Sequence, residues 1–498
     1  MLWVSVWLPQ LPLEALPWLP KALADAMPGR CVVVERRVLA ADEAAQAKGV
    51  QAGMGAAVAA ALAPEVLQLP RDAAREAAFV EALTLSLSAL TPHLLPESDG
   101  VLLEVQASLR LFGGVRRLLR RAQRLVHAQG ASAVIGVAPT ATAAHLLARA
   151  PQRRRRALRA DSTARRLDLL PTPLVLNLLG QPAALAELFE GIGARRLDAV
   201  RALPRAGLQR RGARALLDAL DRAYGESPDA RRWFEPPPRF ALALELMQRA
   251  DDAATLAQAA ERLLLPLAGW LSRHWLAARR FTLQMQHEHG RRARPDSTLS
   301  IELGQPSRDA AQLLVLLRER LARHTLAAPV YALRLVLDEA QPLAGIEGHL
   351  LLDDRPAAGD LPTLLDRLRA RLGNERVSRF ALRADHRPEH ADAVLPAAAA
   401  LPPSPALAIT PPRPLWLLRE PLPLPAGHGD QPLYDGAPLA LCSRPERIES
   451  GWFDGAPVRR DYHVAASADH RLCWIFREHR REPAPAGGCG WFLHGWFG

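Results

Sequence analysis

The chain opens on MLWVSVWLPQLP, an apolar run that reads as a buried strand, a place from which a fold can present catalytic side chains. Strand alternation puts Ser5 and Trp7 on one face. Neither a hydroxyl nor an indole gathers divalent cations, so this strand offers no metal ligand. The nearest alternative carboxylates, Asp99 and Glu104, bracket a second strand-like run, GVLLEV. Four cysteines, Cys31, Cys442, Cys473 and Cys489, are scattered without CxxC spacing, which argues against a zinc site and against a disulfide framework. No metal and no cofactor are expected.

Arginine is the other chemistry-bearing residue. The formal charge is +11, and Lys21 and Lys48 are the two lysines among 63 basic residues. Between Arg110 and Arg166 fourteen arginines face one acid, Asp161, so this segment carries more than the whole net charge. Such a stripe fits a polyanion, most simply nucleic acid, although any single arginine also suits a solvated helix face. No apolar run reaches membrane-spanning length and the N-terminus lacks a basic leader pattern, so a cytoplasmic protein without membrane contact is expected.

These residues need elements to hold them. VRRLLRRAQRLV has apolar residues at helical spacing with arginines on its other faces, between the strand-like GVLLEVQAS and ASAVIGVAP. Residues 166–236 read as short helices. There Gly191 and Gly193 either let backbone N–H groups approach a phosphate, as in a helix-hairpin-helix, or simply make a tight turn. After Pro236-Pro237-Pro238 the order is β-α-β-β-α-β, with Arg279, Arg280 and Arg334 in or beside its strands. A helical stretch, LPTLLDRLRARLG, precedes a Pro- and Ala-rich linker. The last fifty residues hold nine of the 26 aromatics, Trp452, Phe453, Tyr462, Trp474, Phe476, Trp491, Phe492, Trp496 and Phe497. Such density implies a small aromatic-cored β module or a docking surface.

Taken together, this order of elements resembles the Y-family translesion DNA polymerases. AADEAAQAKGVQAGM is similar to their fingers motif, LEVQASLRLFGG to their palm strand, and IGVAPTATAAHLLARAP to their palm helix entry. The pieces RPLWLL, RIESGWFDG, RRDYH, CWIFRE and GWFLHGWF resemble a polymerase-like subunit of a bacterial mutagenesis cassette. The resemblance implies an α+β multidomain right hand: palm (1–12 and 71–165), fingers (13–70), thumb (166–236) and little finger (237–343). A linker (344–414) and an aromatic-rich β module (415–498) follow.

Phosphoryl transfer in that family uses two metal ions held by carboxylates of neighbouring strands. The first pair of acids falls here on Ser5 and Trp7, with the following aromatic pair on Pro9 and Gln10, and the second pair of acids on Asp99 and Gly100. Asp99 is expected as a solvated turn residue and Glu104 as an inherited strand position without metal. Triphosphate-gripping positions fall on Glu43, Gln46, Thr140, Ala141 and His145, so nucleotide binding is expected to be lost with the metals. The resemblance then implies a non-catalytic adaptor in damage-induced, SOS-type mutagenesis. It would bind primer-template DNA through the basic stripe, Gly191, Gly193, Arg279, Arg280 and Arg334, without sequence preference. Implied partners are a sliding clamp, a RecA-like protein and an error-prone replicative-type polymerase in a mutasome. The clamp peptide is placed at His349, Leu350 and Leu352, or at Gln431-Pro432-Leu433-Tyr434, and partner binding on the nine C-terminal aromatics. The alternatives are a weak polymerase using Asp99 and Glu104, and a nucleic-acid-binding protein without polymerase partners.

Overall fold

A computed structural model of the chain describes residues 1–151, 154–287, 295–342, 360–397, 399, 412–479 and 490–497. It divides into two compact units, Met1–Arg371 and Leu372–Gly498.

The first unit is built on an antiparallel sheet in the order β5-β6-β1-β7, with β1 Trp3–Trp7, β5 Leu94–Glu97, β6 Gly100–Glu104 and β7 Val134–Ala138. A small sheet of β2 (Arg30–Val34), β3 (Arg37–Ala41) and β4 (Leu67–Pro70) lies between β1 and β5 in sequence. The period of two along β1 splits the core. Val4 and Val6 face helices α1 (Ala73–Leu87) and α2 (Val115–Ala128), while Trp3 faces α3 (Ala141–Arg149) and the six short helices between Ala160 and Tyr224. Helix α2 buries Leu118, Leu119, Ala122 and Val126 and leaves its arginines outside, as its spacing predicts. It has no acid in its first turn and no side-chain cap on Gly114. Arginine pairs at i,i+3 and i,i+4 repel by about 0.2–0.5 kcal/mol each, so burial of the apolar stripe must hold α2 against its own charge.

The expected β-α-β-β-α-β order is present as β8 (Ala241–Ala250), α4 (Ala253–His274), β9 (Leu276–His287), β10 (Ser297–Ser307), α5 (Ala310–Leu321) and β11 (Val330–Pro342), paired β10-β9-β11-β8. Asp252 caps α4 by accepting from Thr255 N at 2.8 Å. This subdomain is clamped to the first sheet's helices. A Cβ on Gly269 of α4 would stand 1.8 Å from the Leu85 carbonyl oxygen of α1, so the two backbones touch. Buried Gln129 donates at 3.0 Å to both Ser86 Oγ and the Arg262 carbonyl, and the Trp18 backbone exchanges 2.8 Å bonds with Glu245 and Met247 of β8. Helix α6 (Asp360–Leu372) is tied on through Asp366, which accepts from Gly304 N at 2.8 Å.

The second unit begins with the hairpin β12 (Ser378–Leu382) and β13 (Asp392–Pro396). A larger antiparallel sheet pairs β14 (Trp416–Leu424), β18 (Trp491–Trp496), β17 (Leu472–Glu478) and β16 (Val458–Ala466) in that spatial order, with β15 (Glu446–Ser450) also on β16. The expected linker, 344–414, is therefore partly folded: its described residues include α6 and the β12–β13 hairpin, both formed by alternating or helically spaced apolar residues outside the Pro-rich segment. Among the described residues no helix is long and apolar enough to cross a membrane. The α+β multidomain architecture with an extra C-terminal β module is as expected.

Replacing Gly269 by Ala should cost about 1–3 kcal/mol, the usual penalty of overpacking a close backbone contact. Urea denaturation of the full chain measures it, and proteolysis within 237–343 should quicken in parallel.

Candidate functional site

The first strand delivers its two side chains into a site that the sheet and α3 already fill. Ser5 pairs with Leu102 on one side and Gly136 on the other. A Cβ at Gly136 would stand 2.3 Å from the Ala144 carbonyl and 2.5 Å from Ala148 N, so α3 lies directly on this face. Beneath it the Ser5 hydroxyl is fully buried without a hydrogen-bond partner. Trp7 pairs with Gly100, where a Cβ would meet the Val6 carbonyl oxygen at 2.2 Å. The backbone of β1 therefore excludes any side chain at position 100.

The carboxylates that do reach this end of the sheet come from the β5–β6 turn. Glu97 receives His145 Nδ1 at 2.9 Å and Arg149 Nη2 at 3.4 Å. Asp99 accepts from Arg149 Nε at 3.2 Å and also from Nη2. Arg149 is 3% exposed in its side chain, its guanidinium carbon lying 5.7 Å from the centre of the Trp7 ring. The expected solvated Asp99 is thus corrected: half of an ion pair, with Arg149 desolvated between two acids and an indole. Position 149 stands one helical turn beyond His145, which is why one helix face supplies both donors.

Glu104 is spoken for elsewhere. Its Oε1 accepts from the backbone N–H of Leu2 at 3.2 Å and of Gln106 at 3.1 Å. Asp99 and Glu104 lie at opposite ends of β6, roughly 16 Å apart at the rise of a strand, too far to share two ions. The donor set does not fit the two-metal centre that the resemblance implies. Its remaining carboxylates, Glu97 and Asp99, are both engaged by the Arg149 guanidinium, and its second ligand position cannot carry a side chain.

The positions matching triphosphate contacts are also divided. Glu43 and Gln46 line a cavity of about 600 Å³ together with Gln10, where the acids Glu14, Asp42 and Glu43 are matched by Lys21, Arg30 and Arg262, so its charge is mixed. Gln46 donates to the Ala41 carbonyl at 2.6 Å. Burial pushes the Glu14 carboxyl up, although Ser132 donates to it from both N and Oγ. Thr140, Ala141 and His145 do not line this cavity; Thr140 caps α3 and donates to the Ala223 carbonyl at 2.9 Å.

Of the expected DNA contacts, the glycine turn is corrected. Gly193 has φ +74° and ends a helix, but the N–H groups of Ile192, Gly193, Ala194 and Arg195 all donate to carbonyls of residues 188–193. The turn is a helix terminator whose donors are already engaged. Arg279 and Arg280 face Glu302 and Glu339 at 3.6 and 3.7 Å, whereas Arg334 is exposed on β11.

The nine C-terminal aromatics separate into interior and surface. Tyr462, Trp474 and Phe476 are buried together, Tyr462 and Trp474 stacked at 4.0 Å, and Trp491 closes a neighbouring cluster. Phe492, Phe497 and Trp496 pack at their edges, the last against Tyr434. As a partner surface these positions are corrected: the register along β16–β18 places Tyr462, Trp474 and Phe476 in a cluster on one sheet face and Trp491 in a cluster on the other, both faces of β17 being buried. Trp452 and Phe453 are the exposed pair, 72% and 65%. Arg387 holds their loop, donating to Asp454 at 2.5 Å and to the Ala456 carbonyl at 3.3 Å. Beneath the core, His494 meets Tyr462 Oη at 2.8 Å, and burial lowers its pKa to about 4. The candidate clamp residues His349, Leu350 and Leu352 lie outside the described residues. In the other candidate, Leu433-Tyr434 pairs with Ala437-Pro438 in a hairpin, so it is folded into the module and is not a free peptide.

Residues 21–149 match the impB/mucB/samB family. Protein ImuB of Caulobacter vibrioides, from strain NA1000 / CB15N and again from strain ATCC 19089 / CIP 103742 / CB 15, is 29% identical over 473 residues, covering 90% of this chain and 100% of the relative. The chain is thus similar to these ImuB proteins over most of its length. Among solved structures, a Dbh ternary complex (TM-score 0.38, 18% identity) covers 68% of this chain and 99% of its own, and DinB from Sulfolobus solfataricus (0.36, 18%) covers 68% and 98%.

The residues that sequence reasoning missed are Glu97 and Arg149. The available signals were the two-residue spacing of Glu97 and Asp99 and the four-residue spacing of His145 and Arg149. Arg149→Met should destabilise the first unit at the low end of the about 3–5 kcal/mol cost of stranding buried charge, because Asp99 is 39% exposed. Adding Glu97→Gln and Asp99→Asn should recover most of it, read as urea midpoints.

A second outcome concerns pH. His494 stays neutral when folded but takes a proton near 6.5 when unfolded, so the unfolded state binds more protons between pH 4 and 6.5. The second unit should be fully stabilised by this residue above pH 6.5 and lose on the order of 3 kcal/mol as pH falls to 4. Thermal melts of His494→Gln should be flatter across that window.

Proposed function

We propose that this chain is a non-catalytic, DNA-binding adaptor of translesion synthesis and damage-induced mutagenesis. The first sheet with α1–α3 serves as a palm, residues 13–70 as fingers, 166–236 as a thumb and 237–343 as a little finger, and primer-template DNA is held while another polymerase does the chemistry. The observation that carries this reading is the Arg149 guanidinium seated between Glu97 and Asp99. A fixed cation there leaves no carboxylate pair to gather metal, and Gly100 has no room to restore one. The steric exclusion at position 100 and the engagement of Glu104 support it against the weak-polymerase alternative.

Partner recruitment belongs to the second unit. The exposed Trp452 and Phe453, on a loop pinned by Arg387, supply a rigid aromatic anchor of the kind that concentrates binding energy. The proposed partners are the sliding clamp, a RecA-like protein and an error-prone replicative-type polymerase.

Purified chain with primer-template DNA, deoxynucleotides and magnesium or manganese should show no extension. Template-dependent synthesis abolished by Asp99→Ala would establish the enzyme instead. Trp452→Ala with Phe453→Ala should remove co-purification of the RecA-like or polymerase partner while leaving DNA binding and the melting temperature unchanged.

A further inference from the structure

The arginine stripe lies on the opposite side of the first sheet from the Trp7–Arg149 site. Ser5 and Trp7 point toward α3, Val4 and Val6 toward α2, and α2 turns its buried leucines to that second face. Its solvent side therefore lies two layers away from the site. There Arg110, Arg117, Arg120, Arg121 and Arg124 line a concavity of about 500 Å³ containing no carboxylate. All five are exposed, and none forms an ion pair with a carboxylate among the described residues. Arg279 and Arg280, by contrast, each face a glutamate.

Two further features mark this surface as built for a ligand. Leu111 is 81% exposed among the arginines, and the neighbouring Phe112 ring has Arg121 5.0 Å from its centre. On the other flank of α2, beyond Gln123, Arg154, Arg155, Arg156 and Arg166 line a second concavity of about 520 Å³, also without an acid. Arg166 Nη1 is buried there without a hydrogen-bond partner. Like charge crowded along α2, with a second group of arginines beside it, is held together at a cost that a polyanion would remove.

We propose that the outer face of α2 is a second nucleic-acid surface that binds single-stranded DNA, separate from any duplex site on the Trp7 face. Guanidinium groups take the phosphates, and the exposed Leu111, beside a half-buried Phe112 that packs on the core and carries Arg121 over its ring, meets the faces of unstacked bases. A duplex keeps its base faces inside the stack and would leave these apolar groups unused. The choice of DNA over RNA rests on the function proposed above; the single-strand assignment rests on the surface itself.

The test compares the full chain with a variant carrying Arg117→Ala, Arg120→Ala, Arg121→Ala and Arg124→Ala, probed by fluorescence anisotropy with a thirty-nucleotide oligo(dT), the same length of oligo(U), and a blunt duplex. Alanine favours the helix, and an unchanged or higher urea midpoint reports intact folding. The expected result is at least a tenfold loss of oligo(dT) affinity. The slope of log affinity against log salt should shrink by about three, the value for four lost contacts to a single strand. Duplex affinity should change less than twofold. Replacing the four by lysine should restore the salt slope. Unchanged oligo(dT) binding, or equal losses for single strand and duplex, would overturn the single-strand site. Tighter binding of oligo(U) than oligo(dT) would overturn the DNA assignment. Failure of the chain to bind the duplex at all would count against the adaptor reading and leave the single-strand result standing.

Discussion

The first unit depends on one buried guanidinium. Arg149 is nearly inaccessible, so its charge is tolerable only because Glu97 and Asp99 surround it and Trp7 covers one side. The requirement runs in both directions. Two carboxylates brought together by a tight β5–β6 turn would repel each other without a cation, and the cation that satisfies them here is covalently part of α3. A side chain cannot exchange for a hydrated ion, and it brings its helix with it. The close approach of α3 at Gly136 and the orphaned Ser5 hydroxyl follow from a sheet end closed by helix, and the β1 backbone closes position 100, where an open two-metal site would need exposed carboxylates and room for water.

That closure explains what could and could not be read from the residues in order. The β-α-β-β-α-β subdomain was legible because its strands alternate and its helices repeat at 3.6, and each signal is local. The amphipathic α2 was legible for the same reason. The partnership of Arg149 with Glu97 and Asp99 was not: it joins a turn to a helix about fifty residues away, and position 149 is one of fourteen arginines between 110 and 166 with nothing in its local sequence to set it apart. Asp99 was read as a solvated turn residue because its turn was visible and its partner was not.

The glycines and aromatics show a related limit. Gly191 and Gly193 announce a turn, and the turn exists, but whether its N–H groups point at a ligand or at the preceding helix depends on how that helix ends. Here they close back on residues 188–193. In the C-terminal module, aromatic density admitted both a core and a docking surface, and the strand register decides between them residue by residue. Tyr462 and Trp474 stack inside, whereas the loop between β15 and β16 turns Trp452 and Phe453 out.

Charge distribution separates the surfaces of the first unit more sharply than composition does. On the β8–β11 sheet, arginines and carboxylates are interleaved, so Arg279 and Arg280 are largely neutralised where they stand. On α2 the arginines form no ion pair with an acid among the described residues, and the helix gains nothing from them: they oppose one another along the surface and crowd the positive end of the macrodipole. An arrangement that weakens its own helix, and that is repeated across the far flank at Arg154–Arg156, is accounted for by what it can hold rather than by what it contributes to folding. The unit therefore carries one face where a fixed cation is held between fixed anions, Arg149 between Glu97 and Asp99, and another where the counter-charge has to come from outside.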